Sequence, residues 1–114
     1  MTATRINPAL PTVEHLSATA TASSGTTVYR CDAYRCGPIV ALLLQFKTTV
    51  TGNNVQLAHI NGIPKPTFQS PIVSGIGNDA ALVQLTTNCD VTSGGSSFRG
   101  NDWLSITLIY MTGE

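Results

Sequence analysis

Apolar and polar positions alternate most cleanly at the end of the chain. In Trp103-Leu104-Ser105-Ile106-Thr107-Leu108-Ile109-Tyr110-Met111, Leu104, Ile106, Leu108 and Tyr110 share one face and Trp103, Ile109 and Met111 the other. This is the period of a strand, whose successive side chains point to opposite sides, and the first set is the predicted core side. Upstream, Ile39-Val40-Ala41-Leu42-Leu43-Leu44-Gln45-Phe46 is apolar at nearly every position before Lys47-Thr48-Thr49-Val50-Thr51 restores polarity. Such a run reads as a strand buried on both faces. Val55 to Ile60 alternates as a half-buried strand. Thr26 to Tyr34 alternates imperfectly but carries the β-branched and aromatic residues of one. Asp79 to Thr86 and Cys89 to Thr92 add two shorter strands.

Turn chemistry separates these runs. Arg35-Cys36-Gly37-Pro38 predicts a hairpin between the first two, and Gly52-Asn53-Asn54 a second turn. Asn61-Gly62-Ile63-Pro64-Lys65-Pro66 and then Pro71 break the ladder, as expected of a long surface connection crossing from one sheet to another. Ser93-Gly94-Gly95-Ser96-Ser97 reads as a loop that continues through Phe98 to Asp102. Residues 1–25 hold neither period, and Pro8 and Pro11 lie among Thr, Ala and Ser. They read as an extended arm ahead of a β-sandwich head at 26–114. The arm's Ile6, Leu10, Val13 and Leu16 are too many for a solvated tail and too sparse for a core. Docking on a neighbouring subunit and a free terminus both remain open.

Composition narrows the class. A chain of 114 residues supports one core. Charged residues are only 11% of it, against about 25% in ordinary soluble domains. Thr, Ser, Asn and Gly supply the polarity instead, which favours strands over helices. Six basic and six acidic residues leave zero net charge with no cluster of either sign. That excludes the basic face needed to displace counterions from nucleic acid, and it weakens repulsion between copies. No segment approaches a membrane span or a secretory h-region, so synthesis in a cytosol without membrane insertion is expected.

Groups for covalent chemistry are sparse. Cys31, Cys36 and Cys89 leave one unpaired in any monomeric disulfide scheme and read as free thiols, although a Cys31–Cys36 bridge across a short turn stays open. His15 and His59 have no metal-ligand spacing to them. No Gly-x-Ser-x-Gly elbow occurs, and Gly75-Ile76-Gly77 lacks the rest of a dinucleotide fingerprint. Glu14, Asp32, Asp79, Asp90, Asp102 and Glu114 are scattered. The expectation is therefore no enzyme, no metal and no cofactor. Asp102 beside Trp103 and a Gly-rich loop suggests sugar stacking, against the commoner pairing of a turn-capping Asp with a packing Trp.

A single sandwich has one buried face per sheet, yet the two strongest strands are apolar on both. Something must cover the second face. Leu43, Ile109 and Met111 are the candidate subunit interface, with cover by loops or the arm of the same chain as the alternative.

The order of these features resembles the C-terminal head domains of bacteriophage tail fibres, baseplate receptor-binding proteins and related virion fibres. The resemblance runs over residues 26–112. It is carried by Val40-Ala41-Leu42-Leu43-Leu44 after the Cys-Gly-Pro turn, by Asn61 to Pro66 through Ser70-Pro71, and by the closing Gly100-Asn101-Asp102-Trp103 to Tyr110. It implies a jelly-roll-like antiparallel β-sandwich, a homotrimer on a virion surface, and saccharide bound at or between the heads. No long shaft precedes the head, which raises a second role as a capsid or tail decoration protein fixed to other virion proteins through the arm. A free lectin-like module, with Trp103, Tyr29 or Tyr34 as stacking platform, is the alternative from another class.

Overall fold

A computed structural model describes residues 12–67, 82–94 and 103–114. Ile6, Leu10, Pro71, Gly75-Ile76-Gly77, Asp79, Asp102 and the loop beyond Gly94 lie outside the described residues. Eight strands follow in order: β1 (Glu14–Leu16), β2 (Thr19–Ala22), β3 (Thr26–Cys36), β4 (Ile39–Thr48), β5 (Gln56–Asn61), β6 (Val83–Leu85), β7 (Asp90–Ser93) and β8 (Trp103–Met111). They form two four-stranded sheets, β1-β3-β4-β8 and β2-β5-β7-β6, antiparallel throughout. The expected all-β sandwich is present, with no helix among the described residues.

One core lies between the sheets. Val40, Leu42, Leu44 and Phe46 of β4 and Leu104, Ile106, Leu108 and Tyr110 of β8 meet Leu57, Ile60, Val83, Leu85 and Val91 from the opposite sheet. The last strand thus buries the face its alternation assigned to the core. In β4 the inward positions are sealed, while Ile39 is exposed and Ala41, Leu43 and Gln45 are half-buried. Within the chain the run is covered on one side only. Polar groups closing the sandwich are satisfied internally: the buried Thr26 and Thr48 hydroxyls share a hydrogen bond of 2.8 Å, and the Tyr110 hydroxyl donates to the Pro64 carbonyl at 2.7 Å.

The β3–β4 hairpin turns through Gly37-Pro38, with Cys36 opposite Ile39. Gly37 adopts φ +59, the conformation a two-residue turn with Gly in first place requires. That tight turn fixes the register of the whole hairpin. Cys31 and Cys36 both belong to β3. Five residues along a strand put them about 16 Å apart on opposite faces, well beyond disulfide reach, and all three cysteines are free thiols.

Two features differ from the pattern expected of the sequence. Residues 12–25, part of the segment read as an unpatterned arm, contain β1 against β3 and β2 against β5. Each is a short edge strand whose pairing partner, not its own periodicity, orders it, and Leu16, Ala18 and Ala20 pack against the core. The proline-rich connection was expected to change sheets, yet β5 and the next strand, β6, share one sheet. The connection does visit the other: Lys65 accepts from the Thr112 hydroxyl at 2.7 Å and the Thr67 amide donates to the Met111 carbonyl at 3.0 Å.

Candidate functional site

The outer faces of the two sheets differ in kind. On the β2-β5-β7-β6 sheet the outward side chains are polar and bonded to one another. His59 Nδ1 meets Asp90 Oδ1 at 2.7 Å, Gln56 donates to the same oxygen at 3.1 Å, and Asn61 donates to the Thr21 hydroxyl at 3.3 Å. This is an ordinary solvated ladder of cross-strand pairs. It holds a histidine oriented by a carboxylate, a pair that separate positions in sequence did not announce.

On the β1-β3-β4-β8 sheet, register places the outward side chains in rows. Cys36, Ile39 and Met111 form the row at the hairpin end, followed by His15, Tyr34, Ala41 and Ile109, and then by Asp32, Leu43 and Thr107. Ile109 and Met111 are 55% and 56% exposed, and Leu43 is half-buried. The structure therefore gathers the three predicted interface residues on one face of one sheet. Ile39 and Tyr34 join them, and these the sequence reading did not pick. The described part of the arm does not cover the face, because β1 and β2 lie at sheet edges.

The far half of the same face is aromatic and polar. Here β3 and β4 slip register between Val28 and Arg30. Val28 packs inward, while Tyr29 and Arg30 are both exposed. A bulge of this kind re-aims side chains. It brings Tyr29 against Trp103, with ring centroids 3.7 Å apart and planes 49° from parallel. Next to the pair, Arg30, Leu43, Gln45, Ser105 and Thr107 line a depression of about 230 Å³. Arg30 Nε donates to Asp32 Oδ2 at 2.6 Å, and that bond, against a smaller opposing effect of burial, holds the Asp32 carboxyl below its usual range. His15 approaches the same carboxylate at 3.7 Å and stacks on Tyr34 at 4.8 Å.

The thiols sit in surroundings that suppress ionisation. Burial pushes Cys31 and Cys89 up from the ordinary thiol value, so neither has the electropositive, exposed setting of a reactive cysteine. Among the described residues no three His, Cys, Asp or Glu side chains gather to hold a metal ion. The geometry defines a two-sheet sandwich with one polar outer face and one divided between an apolar half and an aromatic, hydrogen-bonding half. No family model, no curated protein and no solved structure matches the chain.

Proposed function

We propose that the chain is a non-catalytic surface protein of a bacteriophage particle, a homotrimeric β-sandwich head that attaches to the host surface or decorates the virion. One observation carries the assembly part: Ile39, Leu43, Ile109 and Met111 share an outward face that no described segment covers. Exposed apolar patches of this kind mark contact surfaces. Zero net charge and a charged fraction of 11% offer little repulsion against self-contact. The virion setting and the threefold stoichiometry follow from the resemblance of residues 26–112 to fibre heads. In this reading residues 1–11, ahead of β1, dock on other virion proteins.

Light scattering over a dilution series tests the assembly. Three times the 12.0 kDa chain mass is expected at micromolar concentration, falling to a single chain in the Ile109→Glu, Met111→Glu double variant. A wild-type protein of single-chain mass throughout contradicts it. Peptides of the protein in purified, nuclease-treated virions are expected, and their absence removes the virion setting while leaving the assembly intact.

A further inference from the structure

We infer that the Tyr29–Trp103 end of the outer face binds a single pyranose ring of a glycan. This deepens the attachment half of the proposed function and rests on it for its biological setting, but a different set of residues carries it. Two large aromatic side chains stand 56% and 43% exposed beside each other. Exposure of that much ring surface has no use in the packing of this chain, since both lie outside the core cluster. A pyranose presents a face of C–H groups that stacks on aromatic carbon, and a rim of hydroxyls that needs donors and acceptors. The adjoining depression supplies both kinds: the Arg30 guanidinium donates, the Gln45 amide donates and accepts, and the Ser105 and Thr107 hydroxyls do either.

Register puts these groups within reach of the rings. Trp103 and Ser105 are successive outward residues of β8, about 7 Å apart along the strand. Gln45 pairs with both Ser105 and Arg30, and Arg30 directly follows Tyr29 in the bulge. With Arg30 Nε engaged by Asp32, the guanidinium is fixed at one side while its terminal nitrogens remain for a ligand. The volume of about 230 Å³ is below the roughly 300 Å³ at which pockets for larger, drug-sized ligands begin. One sugar ring is the scale it fits. Trp103 and Ile109 are six residues apart on β8, about 20 Å, so a sugar at one end leaves the apolar half free for assembly.

The test is saturation-transfer NMR on the intact chain with two sets of probes. Methyl glucoside, methyl galactoside and N-acetylglucosamine form the neutral set; glucuronic acid and N-acetylneuraminic acid form the acidic one. Saturable transfer to at least one probe is expected, with dissociation constants in the millimolar range. Affinity is expected to fall about tenfold or more in Trp103→Ala and in Tyr29→Ala, and measurably in Gln45→Ala, with the urea midpoint of each variant unchanged. A response confined to the acidic set assigns Arg30 to a carboxylate, and one in the neutral set assigns it to hydroxyls. The Ile109→Glu, Met111→Glu variant is expected to bind the same probe with unaltered affinity, which separates this site from the assembly face. No saturable transfer from any probe, or binding that survives Trp103→Ala undiminished, overturns the inference.

Discussion

Gly62 is the residue with the least freedom to change. It adopts φ +85, and a Cβ added there would lie 2.2 Å from the Ser17 carbonyl oxygen. The main chain between β1 and β2 passes directly over it. Gly62→Ala is therefore expected to cost about 2 kcal/mol or more, read as a lower urea midpoint at unchanged slope. Ser93 is a second such position, fully buried, with its hydroxyl accepting from the Val55 amide at 2.9 Å and donating to the Gly52 carbonyl at 2.6 Å. Ser93→Ala leaves both unpaired and is expected to cost about 1–3 kcal/mol. The sequence placed Ser93 in a loop because Ser-Gly-Gly signals a turn. That its hydroxyl pins the preceding turn depends on contacts across many residues, which no local pattern encodes. The thiols behave likewise: Cys89, buried in a turn before β7, is expected to react with a thiol reagent only at the rate of unfolding, whereas fast labelling of Cys89 in the native protein would contradict its burial.

At the scale of elements, strict alternation is what made the fold readable. β8 begins and ends where the sequence put it, and its four inward residues are the ones buried. Leu108→Ala removes a side chain with no exposure and is expected to cost about 2–5 kcal/mol, against little for Thr107→Ala on the other face. Where alternation fails, the sequence misleads. The β3 pattern looked imperfect because the bulge at Tyr29 inverts the facing of every residue after it. The same bulge makes the Tyr29–Trp103 pair, so the aromatic platform was invisible for the reason that the strand looked poor. β1 and β2, of three and four residues, were missed because edge pairing orders them.

For the whole molecule, two properties follow from the distribution of polar groups. The first is alkaline lability. Burial raises Cys31, Cys89 and Tyr110 above their ordinary values. A group raised in the folded state stabilises it fully below its unfolded value, and that contribution disappears as pH climbs through the folded one. The urea midpoint is expected to hold to about pH 8 and fall above it as the unfolded thiols ionise, with a further fall above about pH 10 from the phenol; Tyr110→Phe is expected to remove that second fall. Asp32 has the opposite sign, its lowered value favouring the folded state until acid protonates it, but its full exposure makes this a small effect.

The second property is the division of the β1-β3-β4-β8 outer face into an apolar half and an aromatic half. Hydroxyl-radical footprinting across a dilution series reads both halves at once through Met111 and Trp103. Met111 is expected to oxidise several-fold more slowly in concentrated than in dilute protein, while Trp103 keeps its rate. Equal oxidation of Met111 at every concentration would mean that the apolar half faces water in solution, and the assembly reading would be lost.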